Sequence, residues 1–390
     1  MENFKYYTPT KIIFGKDREK EVAKLLKEFN GKKILIHYGG GSVIRSGLLD
    51  KVKNYLKEAN IQYIELGGVK PNPRLSLVRK GIELGRKENI DFILAIGGGS
   101  VIDSAKGIGY GMMLDHDVWD LYSKKEFSNK CMPIGVILTM AAAGSEMSPS
   151  SVITNEDGWL KRSFSIDNAR PKFAILNPEL TFTLPEYQSA SGIVDIMMHT
   201  MERYFSPVGN MKITDEIAEG LLRTVIENAP KVIKNPKDYK SKAEIMWASS
   251  LSHNGLTGCG GIGDWSSHQL EHELGGCYDV AHGAGLSAVW GSWARYVMNE
   301  NPKRFADFAT KVFNIENCGD KETAILGIKA METFYKSINM PISLKELGLN
   351  LSEEDLHMLA NKCSFNGKRT IGSFKKLFEE DMFNIYKNSR

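Results

Sequence analysis

The 390-residue sequence predicts an α/β amino-terminal domain on a parallel, Rossmann-like sheet, followed by an all-helical carboxyl-terminal domain. Three observations predict it. Short Ile/Val-rich runs alternate with amphipathic stretches up to about Pro185. Beyond that point nearly every segment has helical periodicity. The length also exceeds what one hydrophobic core serves. The expected domains are 1–185 and 186–390.

In the first half, KKILIHY (32–38), IQYIEL (61–66), DFILAI (91–96), MPIGVIL (132–138) and KFAIL (172–176) read as buried strands. Each is short and apolar and ends at Gly, Pro, Thr or Asn. SGLLDKVKNYLKEAN and SLVRKGIELGRKENI, lying between the early strands, have helical spacing. Strand–helix alternation of this kind gives parallel pairing with helices over the sheet. In the second half, 186–205, 214–230, 241–256, 264–275, 283–298, 302–313 and 322–338 read as helices. Pro185 suits a helix start, where its missing N–H is least costly.

Composition excludes several classes. With 42% hydrophobic and 25% charged residues and a net charge of +3, the chain has neither a basic nucleic-acid stripe nor a membrane-binding face. MENFKYYTPTKIIFG lacks a signal-peptide core, and no segment has the length of a membrane span. Five dispersed cysteines without a CxxC read as reduced thiols of a cytoplasmic protein.

Two strands run into glycine triplets. Gly97, Gly98, Gly99 and Ser100 lie between a strand and a helix opening near Val101. Glycines admit a phosphate close to the backbone, and the helix terminus offers free N–H groups and a positive dipole end. The spacing is neither the Rossmann G-x-G-x-x-G nor a P-loop, and a plain tight turn is the competing reading. Asp103 can cap that helix or face a nicotinamide amide. Gly39, Gly40, Gly41 and Ser42 follow KKILIHY and take the place where many NAD-binding sheets, after their second strand, carry an acid that binds the ribose hydroxyls. Without a carboxylate there, a 2′-phosphate meets no repulsion, and Ser42 and Arg45 are near enough to bind it. This favours NADP(H), with NAD(H) as the alternative.

The second half carries a metal-ligand pattern. Asp195 and His199 are spaced i, i+4, as are His268 and His272, and such pairs share a helix face. His282 sits beside Gly283 and Gly285, which let backbones come close. Mixed Asp/His donors suit one divalent ion, Fe2+ or Zn2+, better than calcium or magnesium. Glu202, one turn beyond His199, either orients that ligand or lies on a solvated face.

GGGSVIDSAK, TMAAAGSEMS, LPEYQSASGIVDIMMHTMERY and WSSHQLEHELGGCYDVAHGAG together resemble the iron-containing (group III) alcohol dehydrogenases, in the branch of butanol dehydrogenases and NADPH-dependent aldehyde reductases. The resemblance spans essentially the whole chain. It implies a dehydroquinate synthase-like architecture with a cleft between a dinucleotide-binding and a metal-binding domain, commonly as a homodimer. It places the metal ligands at Asp195, His199, His268 and His282. His272 is implied as the catalytic histidine beside substrate and nicotinamide. Gly97–Ser100 become the pyrophosphate turn, with Asp103 toward the nicotinamide side. Thr139–Glu146 becomes a cofactor-contacting stretch, and Lys161 a cofactor-contacting lysine. Ala143 and Met140 replace hydroxyl residues usual in the family, Ala142 replaces a glycine, and Asn177 replaces an acid.

The implied activity is reversible hydride transfer between NADP(H) and a short-chain primary alcohol or aldehyde, butanol-like in size. Trp159, Phe164 and Trp265 are aromatic candidates for the substrate pocket. A polyol dehydrogenase and a dehydroquinate synthase-like lyase share the architecture. The apolar residues between the ligands argue against the lyase, whose phosphorylated acid substrate needs a cationic cluster. A metal-storing protein would have lost the ligands or the phosphate turn, and both are intact.

Overall fold

The computed structural model describes residues 1–209 and 211–390. They form two compact units: Tyr7–Thr183, and Leu184–Arg390 together with Met1–Tyr6. The first residues join the second unit through the Glu2 N–H, which donates to the Gly260 carbonyl at 2.8 Å.

The first unit contains strands β1 (Lys11–Phe14), β2 (Lys33–Gly39), β3 (Gln62–Val69), β4 (Phe92–Gly97), β5 (Ile134–Leu138), β6 (Ser150–Asn155), β7 (Leu160–Ser165) and β8 (Phe173–Leu176). Six of them form one sheet in the order β1-β8-β5-β4-β2-β3. Every pairing in it is parallel. The strand order reverses direction between β2 and β4. Ligands of open parallel sheets gather outside the carboxyl ends of strands at such a switch point.

The helices of this unit are α1 (Val22–Glu28), α2 (Ser42–Arg45), α3 (Leu48–Glu58), α4 (Leu75–Glu88), α5 (Gly99–Gly111) and α6 (Trp119–Tyr122). Ile34, Ile36, Phe92, Leu94 and Phe173 form a core with Leu25 and Leu26 of α1 and Val52 and Leu56 of α3. Gly135 of β5 is required by packing: a methyl group there would meet the Phe173 ring at 2.3 Å. Asn177, where the resemblance led us to expect an acid, is buried and donates to Glu19 at 3.1 Å. A carboxylate there would face a second carboxylate.

Two features went unforeseen in the sequence. Strand β1 is only KIIF, too short to stand out from its polar surroundings. The β6–β7 hairpin is antiparallel and rich in Ser, Thr and Lys, so its alternation is faint.

The second unit contains α7 (Glu186–Tyr204), α8 (Lys212–Lys234), α9 (Tyr239–His253), α10 (Ser266–Tyr278), α11 (His282–Val297), α12 (Pro302–Phe313), α13 (Asp320–Ser337), α14 (Glu353–Cys363) and α15 (Glu379–Asn388). Each helix expected between 186 and 338 is present, shifted by a few residues at most. Residues Ser189 to Glu202 of α7 are buried without interruption. A helix covered all round is a core element, and α7 packs against α8, α9 and α11.

One buried group makes the first unit pH-sensitive. His37 on β2 is fully buried; its Nδ1 lies 2.8 Å from the Leu66 carbonyl and its Nε2 2.8 Å from Ser104 Oγ of α5. The carbonyl only accepts, so Nδ1 carries the proton and Nε2 accepts from Ser104. Burial, partly offset by that carbonyl, pushes the imidazole down to about 4. The unfolded chain therefore takes up a proton near pH 6.5 while the folded chain does not. This group's contribution is complete above pH 6.5 and is lost as pH falls toward 4, about 3 kcal/mol in all. Urea unfolding at pH 7 and pH 5 should show about 2 kcal/mol of that loss, absent in His37→Gln. An unchanged difference in the variant would show that other groups set the acid sensitivity.

Candidate metal centre and cofactor turns

Asp195 and His199 project from one face of α7, His268 stands on α10, and His282 opens α11. Asp195 Oδ1 lies 3.4 Å from His199 Nδ1, 3.7 Å from His268 Nε2 and 3.6 Å from His282 Nε2. Donor atoms of Asp195, His268 and His282 all fall within 4.8 Å of one another. Asp195 Oδ1, His199 Nδ1 and His268 Nε2 are buried without a hydrogen-bond partner.

These separations are long for hydrogen bonds. Four donors about 2.1 Å from one ion, placed tetrahedrally, would stand about 3.4 Å apart. Buried orphan atoms at that spacing fit a divalent cation, and their nitrogen and oxygen chemistry suits ferrous iron or zinc.

Carboxylates stand behind two of the imidazoles. Glu202 accepts from both the His268 backbone N–H, at 2.9 Å, and the His268 ring Nδ1, at 3.0 Å. Glu271, fully buried, accepts from His282 Nδ1. Such partners fix the tautomer and strengthen the donor. The sequence led us to expect Glu202 either beside His199 or in solvent. It does neither, because its partner comes from another helix. Sequence reasoning missed Glu271; the one signal was an acid spaced i, i+3 from His268.

Electrostatics follow this wiring. Burial lowers the His268 pKa, but the Asp195 and Glu202 carboxylates outweigh it and push the ring up to about 9. His199 is held well below its ordinary range by burial, then by His253, His268 and Arg203. Asp264 starts the α10 segment. Its carboxylate accepts from the backbone of Ser266 at 3.0 Å, Ser373 at 2.9 Å and Phe374 at 2.8 Å. Burial, then Glu202, pushes Asp264 up to about 6.

Gly283 brings α11 to α7. A methyl group on it would lie 1.9 Å from the Ser191 carbonyl oxygen, so the two backbones are in direct contact. That contact carries His282 to Asp195. His272 lies outside the ligand group, half-buried, with its ring centroid 6.1 Å from that of His282. Of the three aromatic candidates, Trp265 packs near the ligands, 5.4 Å from His268 and 6.1 Å from His199. Trp159 sits at the hairpin turn, and Phe164 belongs to an aromatic cluster with Tyr110 and Tyr122.

In the first unit both glycine turns lie at the switch point. Gly39–Ser42 ends β2 and opens α2, while Gly97–Ser100 ends β4 and opens α5. The neighbouring register pairs Tyr38 with Ile96. A methyl group on Gly98 would come within 3.0 Å of Met140, and one on Gly99 within 2.9 Å of Ala143. The Thr139 N–H donates to the Gly97 carbonyl at 3.0 Å. Gly98 and Gly99 thus pack closely against the 139–143 segment, Gly97 packs against Val101, and the turn leaves N–H groups open at the α5 terminus. Gly41 has φ +138°, and a methyl group on it would lie 3.0 Å from the Arg45 guanidinium.

Asp103 does not cap α5, whose N-cap is Gly98. Its carboxylate accepts from Ser145 Oγ at 2.6 Å and from the Val152 N–H at 2.9 Å. Lys106, fully buried one turn later, was not anticipated. Its ammonium donates to the carbonyls of Ser145, Ser148 and Ser150 at 2.7–2.9 Å and to Ser145 Oγ. Burial lowers it to about 8, against the pull of Asp103 and Glu146. Together the two residues pin the 145–152 segment beside the glycine turn. Lys161 is buried on β7, opposite Thr154.

Two family models match the chain. The iron-containing alcohol dehydrogenase model covers residues 9–178, and the carboxyl-terminal model of the Fe-containing alcohol dehydrogenase family covers 189–390. The chain is 41% identical to the NADH-dependent butanol dehydrogenase A of Clostridium acetobutylicum and 34% identical to the NADPH-dependent aldehyde reductase YqhD of Escherichia coli, over all of each chain. It superposes on the crystal structure of the NADH-dependent butanol dehydrogenase A of Thermotoga maritima with a TM-score of 0.96 and 37% identity, covering 99% of this chain and 98% of that one.

Gly283→Ala should separate α11 from α7 and displace His282. The expected result is loss of bound metal by elemental analysis with a destabilisation of about 1–3 kcal/mol. Full metal content in a variant of unchanged melting temperature would remove the backbone contact as the cause of the site's geometry.

Proposed function

The chain belongs to the iron-containing alcohol dehydrogenase family, and we propose that it interconverts short-chain primary alcohols, butanol-like in size, and their aldehydes using NAD(P)H. The observation that carries this reading is the set of three imidazole nitrogens 3.4–3.7 Å from one buried oxygen of Asp195. The names of the relatives support the substrate class.

In this reading Asp195, His199, His268 and His282 hold one divalent ion, Fe2+ or Zn2+. When bound, that ion supplies Lewis acidity at the substrate oxygen, and the nicotinamide gives or takes the hydride. Asp195 places a negative charge among the donors. Glu202 and Glu271 keep His268 and His282 in the donor tautomer. His272, half-buried and outside the ligand group, holds or moves the proton exchanged with the substrate oxygen. Gly97, Gly98, Gly99 and Ser100 receive the pyrophosphate at the α5 terminus. Asp103 and Lys106 fix the 145–152 segment, and Thr139 and Lys161 complete the cofactor's surroundings. Residues 1–185 serve as the dinucleotide-binding domain and 186–390 as the metal-binding one.

Gly39, Gly40, Gly41 and Ser42 leave the end of β2 without a carboxylate, and Arg45 lies against this turn. On that ground NADP(H) is the favoured cofactor and NAD(H) a second. We place the enzyme in the cytoplasm as a homodimer. Among the described residues no helix is long and apolar enough to cross a membrane.

The central test is NADPH and NADH oxidation with butyraldehyde after chelation and refilling with Fe2+, Zn2+ or Mn2+. Turnover restored by metal is expected; none with any ion or aldehyde ends the dehydrogenase reading. His272→Ala should lower the rate and keep the metal. Arg45→Ala should raise KM for NADPH about tenfold, the equivalent of about 1.4 kcal/mol, and leave that for NADH in place. Equal effects on both would remove Arg45 as a 2′-phosphate contact.

A further inference from the structure

The three imidazoles around Asp195 are supported unequally. His268 is clamped at ring and backbone by Glu202, and His282 is held at its ring by Glu271. Both carboxylates belong to buried side chains. No hydrogen bond from a side chain or carbonyl to the His199 ring is found among the described residues. His199 also lies outside the group whose donor atoms are within 4.8 Å of one another.

A cation stands near His199 in place of a carboxylate. Arg203 Nη1 donates to the His199 carbonyl at 2.6 Å and to the Ser252 carbonyl at 3.0 Å. Its Nη2 lies 3.2 Å from His253 Nδ1. A guanidinium only donates, so His253 Nδ1 is the acceptor of this bond. The His253 ring rests on the His199 ring with centroids 3.9 Å apart. Trp265 closes the group, with the Arg203 guanidinium 4.5 Å over its ring. One arginine thus joins the last turn of α7 to the end of α9 and brings two imidazoles into contact, their planes tilted by 53°.

We propose that Asp195, His268 and His282 are the permanent metal ligands, and that His199 is the exchangeable one, positioned by His253 and Arg203. A carboxylate behind an imidazole raises its donor strength. His268 and His282 have one; beside His199 stand the His253 ring and the Arg203 guanidinium instead. His253 is a positioning residue: it bounds the volume the His199 ring can occupy. The shell can then open at His199 without releasing the ion. This inference rests on the metal reading proposed above.

The experiment uses full-length protein stripped of metal and reloaded with Zn2+ or Co2+, with folding followed by circular dichroism. Zn2+ retention is read against a chromophoric chelator. His199→Ala should bind Zn2+ about 10–100-fold more weakly, while His268→Ala and His282→Ala lose it outright. Loss from His199→Ala as complete as from the other two overturns the ranking. His253→Ala should speed Zn2+ release about tenfold and alter the visible band of the Co2+ form. His253→Gln, which can still accept from Arg203, should restore much of both. A release rate and Co2+ spectrum identical to wild type in His253→Ala refute the positioning role. Wild-type protein that takes up neither ion overturns the metal reading itself, and the wild-type control separates that result from the others.

Discussion

The helical unit is organised around one carboxylate buried inside α7. Asp195 is 4% exposed, and its Oδ1 has no hydrogen-bond donor. An uncompensated charge in such surroundings costs several kcal/mol, so a chain keeps it only where something of opposite sign arrives. The fold brings imidazole nitrogens to it from three helices. Glu202 and Glu271 behind two of those rings raise the local negative charge further. Three buried acids linked through two imidazoles make poor sense in an empty interior and good sense around a dication.

The sheet unit solves a mirror-image problem. There the buried charge is the Lys106 ammonium, and the groups gathered round it are carbonyls of the turn at Ser145 and Ser148 and of Ser150 at the start of β6. Asp103, three residues earlier, takes the hydroxyl and N–H groups of the same segment. A polar stretch is thus held rigidly against the opening of α5, where glycines leave no side chain in the way. In each unit one buried charge on one helix orders groups that come from elsewhere.

The regular elements were largely legible because they depend on local pattern. Runs such as DFILAI and the spacing of PKRFADFATKVF carry their own signal, and both give the expected element. Asp195 with His199, His268 with His272, and the glycine turns were legible for the same reason, as i, i+4 pairs and strand-end triplets, while only the family resemblance set His272 apart from the ligands. What stayed hidden depends on which helix meets which. Glu202 is spaced to face His199, yet it bonds His268 across the helix pair. Glu271 shares the α10 face with His268, yet it bonds His282. His253 carries no spacing signal, since its relation to His199 exists only once α7 and α9 pack; Arg203 is four residues after His199 on α7, but its bridge to His253 depends on the same packing. Lys106 was visible in principle: one cation in an otherwise apolar helix is burial announced by its neighbours.

The backbone contact at Gly283 has a thermodynamic consequence. In the proposed metal reading, an ion held by Asp195 on α7 and His282 on α11 would bind only the state in which those helices touch. Binding to the native state alone adds RT ln(1 + [L]/Kd) to its stability, about 2.7 kcal/mol at a free-ion concentration a hundredfold above Kd. That is a sizeable part of the margin by which ordinary domains stay folded. In that reading the free-metal level would set how long each copy survives proteolysis, through two helices that a single methyl group would hold apart.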